Sequence, residues 1–356
     1  MKLGFGLYKS ILNKDNFKFA KQGGATHLVV QLVDYVQTGK NPSLTGDYLN
    51  GWGITGNKDK LWQYEDLLAL KGEIESEGLI WEAIENIDPA HWYDVLLDGP
   101  KKAEQIENLK QTLKMIGKVG IPILGYNFSI PGVWGWTGKF TGRGGAKSIE
   151  FDQSIINVDS PIPKGMVWNM RYDTEIEEGV VESVTRKEMW ERLKYFLNKL
   201  IPVAEENNIK LVAHPDDPPL PRMRGIEKLL YSPEEYEHLL DVYDSPSNGF
   251  EFCMGTVQEM PGSDVYDMLD RFSKQNKIGY VHSRNVIGKV PNYREAFIDE
   301  GDIDIVKALR ILKKNDYDGV IIPDHTPEMS CDAPWHAGMA FALGYLKAVL
   351  KILESE

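Results

Sequence analysis

The sequence predicts an α/β protein, a closed barrel of eight parallel strands in which each strand is followed by a helix. Short apolar runs alternate with longer amphipathic segments eight times along the 356 residues. The strand candidates are almost continuously apolar, as expected for strands buried on both faces. Gly4 and Gly6 lie inside the first strand candidate and not after it. This position disfavours an open doubly wound sheet, in which a Gly-rich phosphate turn often follows the first strand.

The first half of the chain supplies four of these units. The predicted strands cover 3–8, 26–32, 79–84 and 121–128. The helices after the first three strands are predicted at 13–22, 60–77 and 101–119. The pair Gly23-Gly24 ends the first of these helices, and Gly78 ends the second, as glycine does where a left-handed cap is needed. A loop rich in Gly, Asn and Pro is predicted at 35–58.

The second half has the clearest alternation. The predicted strands cover 210–214, 249–254, 278–282 and 319–324. The predicted helices cover 186–208, 233–243, 264–276, 302–314 and 336–353. Eight units of about 40 residues fill the chain as one domain, 1–356, of the TIM (β/α)8 barrel type with long loops at the mouth. Residues 129–185 have no clear periodicity and are predicted to form an insertion or lid after strand four.

Composition excludes several classes of protein. The chain has 40 basic and 53 acidic residues, a net charge of −13, which disfavours nucleic acid and anionic membranes as partners. We see no apolar run of the roughly 18 residues that a membrane span needs, and no secretory signal at the N-terminus. Two cysteines make no disulfide framework, so a reducing cytoplasm is expected.

Four consecutive strands end in side chains that bind metals. The predicted ligands are His214, Cys253, His282 and Asp324, at intervals of 39, 29 and 42 residues. Active sites of such barrels lie where the strands end, so these side chains should converge on a divalent cation. Each has an ordinary alternative, such as a buried apolar Cys or a helix-capping Asp, but coincidence at four successive units favours the metal. Mn²⁺, Fe²⁺ and Zn²⁺ all suit the mixed set.

The remaining histidines and the second cysteine give no comparable pattern. His27, His91 and His238 fall at strand starts or on helix faces, and we interpret them as structural. Cys331 lies in a loop and is interpreted as an ordinary thiol.

The strand ends also resemble a known family. The segments are HPDDPP at 214–219, CMGT at 253–256, HSRNV at 282–286, PDH at 323–325 and YNF at 126–128. In this combination the chain resembles the D-mannonate dehydratases from about residue 79 onward. The resemblance implies a xylose-isomerase-like TIM barrel that removes water from D-mannonate to give 2-keto-3-deoxy-D-gluconate in hexuronate catabolism. It implies Mn²⁺ as the usual cofactor, with His214, Cys253, His282 and Asp324 as its ligands.

The chain departs from the family pattern in the loop 35–60, which is longer here, and at three motifs near the predicted mouth. The Arg of the first strand is absent from the run 5–8, and the Arg before Pro-Asp-His is Ile322. The Pro-Gly-Tyr near the last helix is replaced by Pro334, Trp335 and His336.

Dehydration of a 2,3-dihydroxy acid needs a base for the α proton and an acid for the departing hydroxyl. His325 is the predicted acid or base, with orientation of a ligand as its alternative role, and His336 is its predicted partner in place of the missing Tyr. Arg284 follows His282 by two residues, so it should share that face of the strand. There it is predicted to hold the substrate carboxylate and assist catalysis, with a salt bridge at the barrel rim as the alternative.

Asn127, Asp216 and Trp134 are the other predicted substrate contacts. Asp216 could instead orient His214. Trp134, Trp136 and Trp168 of the insertion could either close over a sugar or only pack the lid.

Three functions are therefore compared. The first is a metal-dependent lyase acting on a sugar acid, most simply D-mannonate. The second is a metal-dependent epimerase or isomerase of a sugar or sugar acid, which the missing Arg and Tyr favour. The third is a non-catalytic sugar-acid binding barrel, which would have no need of a thiolate in a metal site. Barrels of this kind often form dimers, so a homodimer is kept as a partner hypothesis.

Overall fold

The computed structural model describes residues 1–33, 53–56 and 60–356. Most of the predicted loop 35–58 lies outside these residues. Within them, the predicted barrel is confirmed.

Eight parallel strands close into a barrel in chain order, each hydrogen-bonded to its two neighbours. They are β1 Lys2–Tyr8, β2 His27–Gln31, β3 Ile80–Ile84, β4 Ile123–Tyr126, β5 Lys210–Ala213, β6 Asn248–Cys253, β7 Ile278–His282 and β8 Val320–Ile322. The closing pair is β1 with β8, where Leu3 lies opposite Ile321. Strands β4, β5 and β8 are shorter than predicted because their last predicted residues turn away into the mouth loops.

In the described part of the chain, eight longer helices surround the barrel. They are α1 Lys14–Gly23, α2 Tyr64–Ser76, α3 Lys102–Val119, α4 Arg186–Glu206, α5 Pro233–Val242, α6 Val265–Lys274, α7 Ile305–Lys314 and α8 Pro334–Ser355. Side chains cap the first turn of two of these helices: Thr185 and Glu188 form a capping box at the start of α4, and Asp304 caps the start of α7. Two short helices, Tyr93–Leu97 and Met254–Glu259, were not predicted.

Helix α8 corrects one expectation from the sequence. Its 22 residues have a mean hydropathy of 1.3 over an 18-residue window, so by length and composition it could cross a membrane. Its apolar side chains at Leu343 and Leu346 are fully buried against the barrel. Burial of one apolar stripe is what a helix packed on the core of a globular domain shows.

The inside of the barrel is filled by a separate small cluster of apolar side chains. Its members are Val29, Ala83, Ile123, Val212, Tyr280, Val320 and Ile322. Because this layer fills the interior, ligands can enter only at the ends of the barrel.

The insertion 129–185 is more regular than predicted. Trp136–Lys139 and Ser148–Asp152 form two strands of an antiparallel sheet. The other two strands are a hairpin after β7, Asn285–Lys289 with Asn292–Ala296, which was also not predicted. The sheet has its own apolar core, in which Phe151 stacks on Tyr293. The insertion is therefore a folded cover that is paired with the β7 loop.

His27 lies at the start of β2, away from the mouth, and provides a test of the fold. Burial and the charge of Lys2 lower the pKa of His27 to about 4, against about 6.5 in an unfolded chain. At a pH between these two pKa values, the His27 imidazole is protonated in the unfolded chain and neutral in the folded protein. We therefore expect the free energy of unfolding to fall as pH drops from about 6.5 towards 4, and His27→Gln to lack this contribution. Urea unfolding of both proteins at pH 7.5 and pH 5 measures it. An equal loss of unfolding free energy in the wild type and in His27→Gln would contradict the assignment of this pH dependence to His27. His238→Gln, on α5, is the control.

Candidate metal centre and active site

A cavity of about 370 Å³ opens at the end of the barrel where the strands terminate. His214, His282, Asp324, His325 and His336, all predicted from the sequence, lie in its wall. Asn127 also lines it, with Nδ2 3.4 Å from His214 Nδ1. The structure therefore brings most of the predicted site to one place.

Cys253 is the last residue of β6 and lies beside His282 in the register of β6 and β7. Candidate ligand atoms of His214, Cys253 and His282 all lie within 4.8 Å of one another. Burial raises the pKa of the Cys253 thiol, but Arg284 and the two imidazoles outweigh this and lower it to about 5. The sulfur is therefore a thiolate at neutral pH, the form that binds metals.

The two imidazoles of the cluster differ in their contacts. His214 Nδ1 lies 2.6 Å from the carbonyl oxygen of Pro215, to which an Nδ1–H would donate, leaving Nε2 as the ligand atom. His282 is 1% exposed, and neither of its nitrogens has a hydrogen-bond partner among the described residues. Asp324 Oδ2 lies 3.5 Å from His282 Nδ1. Two imidazoles, a thiolate and nearby carboxylates are a donor set that fits a divalent transition metal.

Two carboxylates at the same place were missed by the sequence reading. Glu251 Oε1 lies 3.0 Å and Glu85 Oε2 3.4 Å from His282 Nε2. Gly125 makes room for Glu251, since a Cβ at Gly125 would lie 3.0 Å from Glu251 Oε2. The signal was present in the sequence, because Glu251 precedes Cys253 by two residues and so shares its face of β6.

His325 and His336 each have one nitrogen held by a neighbour. His325 Nδ1 lies 2.8 Å from Glu295 Oε1, and its ring stands edge-on to Trp136. Burial lowers the pKa of His325, but the charges of Asp324 and Glu295 raise it to about 9.

His336 Nε2 lies 2.8 Å from Asn16 Oδ1. The Asn16 amide nitrogen donates to the carbonyl of Ile11, so its oxygen must accept from His336. His336 therefore carries a proton on Nε2.

Arg284 is not at the cavity wall, contrary to its predicted role as a contact to the substrate carboxylate. It is 1% exposed, and its guanidinium donates to Asp217 at 2.7 Å and Glu295 at 2.8 Å. Glu259 Oε1 lies 3.2 Å from the same guanidinium. The strand alternation placed Arg284 on the expected side, but its charge is taken up by buried carboxylates.

Asp216 and Trp134 also lie outside the cavity wall. Asp216 accepts hydrogen bonds from the amides of Leu229 and Leu230 and so fixes the loop after β5. Asp217 lines the cavity in its place.

Two aromatic rings of the wall come from the insertion that also holds Trp134. Trp134 packs under the Arg224 guanidinium, 5.3 Å from the ring centroid. The cavity wall contains Trp136 and Trp168. These two rings come from different parts of the insertion, which therefore forms one side of the site.

Comparisons with known proteins agree with this geometry. The D-mannonate dehydratase (UxuA) family matches residues 52–354. Mannonate dehydratase 2 of Halalkalibacterium halodurans is 31% identical over 277 residues, 74% of this chain and 79% of that protein. Mannonate dehydratase of Thermotoga maritima is 29% identical over 286 residues, 75% of this chain and 78% of the relative.

Solved structures show the same relationship. The crystal structure of mannonate dehydratase from Streptococcus suis serotype 2 has a TM-score of 0.77 and 25% identity, covering 99% of this chain and 93% of that one. D-psicose 3-epimerase from Clostridium cellulolyticum H10 has a TM-score of 0.54 and 12% identity, covering 99% and 98%. At that identity the epimerase shows the shared barrel alone. The family match and the relatives establish that this chain belongs to the D-mannonate dehydratase family.

Proposed function

We propose that this protein is a metal-dependent hydro-lyase that dehydrates a sugar acid, D-mannonate to 2-keto-3-deoxy-D-gluconate, in hexuronate catabolism. The observation that carries the proposal is the cluster of His214, Cys253 and His282, whose two histidines line the same cavity as His325. Metal ligands and an acid–base group on one cavity are what elimination next to a carboxylate requires. Membership of the D-mannonate dehydratase family supplies the substrate.

The metal would be held by His214, Cys253 and His282, and the family resemblance implies Asp324 as a fourth ligand. Mn²⁺ is the proposed ion, and Fe²⁺ or Zn²⁺ would suit the same donors. When bound, such an ion supplies Lewis-acid stabilisation of charge that develops on the substrate carboxylate and 2-hydroxyl. It also supplies positive charge, which matters because no Lys or Arg lines the described wall of the cavity.

His325 would transfer the protons. The Glu295 carboxylate holds Nδ1, which leaves Nε2 as the nitrogen that exchanges a proton with the substrate. A raised pKa keeps this ring protonated at neutral pH, the form that donates to a departing hydroxyl. His336, held by Asn16, is the proposed partner. Asn127, Asp217 and the rings of Trp136 and Trp168 would position the hydroxyl groups of the substrate.

An epimerase or isomerase acting on a sugar is the second candidate. One observation favours it: the described wall includes five acidic side chains, Glu85, Asp217, Glu251, Asp324 and Glu328, and no Lys or Arg. A neutral sugar would avoid their repulsion. Family membership makes this candidate the weaker of the two.

Turnover of D-mannonate by the Mn²⁺-loaded protein tests the proposal. Formation of a 2-keto acid, lost on chelation and restored by Mn²⁺, is the expected result. A panel of other aldonates and neutral ketoses serves as the comparison. Epimerised sugar without any keto acid would reject the dehydratase in favour of the second candidate.

Replacing His325 with asparagine is expected to lower kcat about 100-fold, because a positioned acid–base group contributes at least that much. Metal content measured by elemental analysis should stay unchanged, since His325 is not among the proposed ligands. His238→Asn, on α5 at the outer surface, is the matched control and should keep wild-type kcat. An unchanged kcat in the His325 variant would remove it from the mechanism.

The cytoplasm is the proposed location, since Cys253 and Cys331 are both free. The homodimer stays a prediction, which sedimentation velocity would test.

A further inference from the structure

A row of three aromatic side chains crosses the sheet that covers the mouth. Trp136 lies opposite Phe151 in one pair of strands, and Phe151 lies opposite Tyr293 in the next. Residues directly opposite each other in antiparallel strands present their side chains on the same face. Tyr293 stacks on Phe151, with ring centroids 5.4 Å apart, and its hydroxyl lies 2.9 Å from Trp136 Nε1. The row therefore fixes where the Trp136 ring enters the cavity wall.

The Tyr293 hydroxyl joins two side chains of the cavity wall. Trp136 Nε1 lies 2.9 Å from its oxygen, and Asp217 Oδ1 lies 2.8 Å from it. An indole N–H can only donate and a carboxylate can only accept, so the hydroxyl accepts from Trp136 and donates to Asp217. Trp136 and Asp217 line the cavity, whereas Tyr293 is 1% exposed and lies behind them. Tyr293 can therefore act on a substrate only through these two neighbours.

The strand that carries Tyr293 also holds His325. Glu295 follows Tyr293 by two residues on the strand Asn292–Ala296, so both side chains face the same way. Glu295 Oε1 lies 2.8 Å from His325 Nδ1. The Trp136 ring stands edge-on to the His325 ring, with centroids 5.4 Å apart. His325 is thus held at Nδ1 by Glu295 and beside its ring by Trp136, and this strand supports both contacts.

We propose that Tyr293 is a positioning residue for the reaction, whose hydroxyl fixes Trp136 and Asp217 in the cavity wall that also holds His325. This inference rests on the proposed function, in which His325 transfers the protons. Without the hydroxyl, Trp136 Nε1 and Asp217 Oδ1 each lose a hydrogen bond. Both side chains are at most 3% exposed, and a buried polar group without a partner costs free energy. Both are therefore expected to turn towards water in the cavity, which displaces the wall beside His325.

Replacing Tyr293 with phenylalanine removes the hydroxyl and keeps the ring that stacks on Phe151. We expect kcat for D-mannonate to fall about 10- to 100-fold, because a displacement of about 1 Å can cost that much in rate. KM should change less than kcat, since every group that contacts the substrate is still present. Metal content should stay at the wild-type level, because Tyr293 is not a proposed ligand.

Tyr317→Phe is the matched control. The Tyr317 hydroxyl lies 3.3 Å from the carbonyl oxygens of Gly279 and Val320, and Tyr317 precedes β8 at the end of the barrel away from the mouth. This variant also loses hydrogen bonds of a tyrosine hydroxyl, so its unfolding free energy should fall as well, but it should keep the kcat of the wild type. An equal fall of kcat in both variants would mean that the loss acts through stability, and would overturn the proposal.

A double-mutant cycle with Trp136→Phe tests whether Tyr293 acts through Trp136. Two residues that act through one contact give a double variant whose loss of rate is smaller than the product of the two single losses. We expect the double variant to be about as slow as the slower single variant. Losses that multiply in full would overturn the proposal.

A crystal structure of Tyr293→Phe gives a readout that needs no turnover. The Trp136 ring and the Asp217 carboxylate should leave their wild-type positions, and the proposal fails if both stay in place. A protein that leaves D-mannonate unchanged but shows these displacements would reject the proposed substrate and retain the positioning role. A protein that dehydrates D-mannonate, and does so equally fast as Tyr293→Phe, would do the opposite.

Discussion

Replacing Cys253 with serine is expected to remove the bound metal and to lower kcat/KM for D-mannonate by more than about 1000-fold. The Cys253 sulfur is buried, and its lowered pKa of about 5 makes it an anionic ligand at neutral pH. A serine hydroxyl stays protonated there and leaves the charge of the metal uncompensated. Lewis-acid stabilisation contributes several kcal/mol to the transition state, and each 1.36 kcal/mol is about a factor of ten in rate.

Elemental analysis of the purified variant and initial rates with added Mn²⁺ measure both effects. Cys331→Ser is the matched control, since Cys331 is exposed and lies in a loop. It should keep the metal content and rate of the wild type. If Cys253→Ser retained one metal ion per chain at wild-type affinity, the thiolate would be excluded from the ligand set.

The barrel could be predicted because its signal is local and repeated. Each apolar run is long enough for one strand, and each following helix has its own amphipathic pattern, so errors at element ends do not change the count. The ends themselves were less predictable. His214 and Asp324 fall just outside β5 and β8 in the structure, yet their placement at the mouth was correct, because residues that follow a strand stay at the same rim.

The sheet over the mouth could not be predicted, because its pairing is not local. The strand Ser148–Asp152 pairs with Asn292–Ala296, about 140 residues later in the chain. Short strands carry little alternation of their own, and what stabilises them is contact with a distant partner. The same limit applies to Trp134 and Trp136, since only the fold shows which of the two rings reaches the cavity.

The sequence also did not show which side chains contact each other at the end of the barrel. Alternation places both Glu251 and Cys253 on the inner face of β6, but it does not show that Glu251 meets His282. For Arg284, alternation predicted the correct face of the strand, but the predicted contact with a substrate carboxylate was wrong. The sequence placed the Arg284 cation near the site of an anionic substrate, so we assigned it to that substrate. In the structure, buried carboxylates surround its guanidinium.

Replacing Arg284 with methionine is therefore expected to lower the free energy of unfolding by about 3–5 kcal/mol, the usual cost of removing one partner from a buried ion pair. The guanidinium contacts Asp217, Glu259 and Glu295, which are at most 2% exposed. Without Arg284, these buried carboxylates lose the cation that they share. Methionine fills much of the volume, so the loss reports mainly the charge.

Urea unfolding of the protein freed of metal measures this difference without a contribution from ligand binding. Arg310→Met is the control, because its pair with Glu356 is exposed and should contribute less than about 1 kcal/mol. If Arg284→Met unfolded like the wild type but showed a raised KM for D-mannonate, the arginine would bind the substrate after all. A large loss of stability would instead assign Arg284 a structural role, in which it holds Asp217 in the cavity wall and Glu295 against His325. The acid–base group His325 would then depend on a cation that does not contact the substrate.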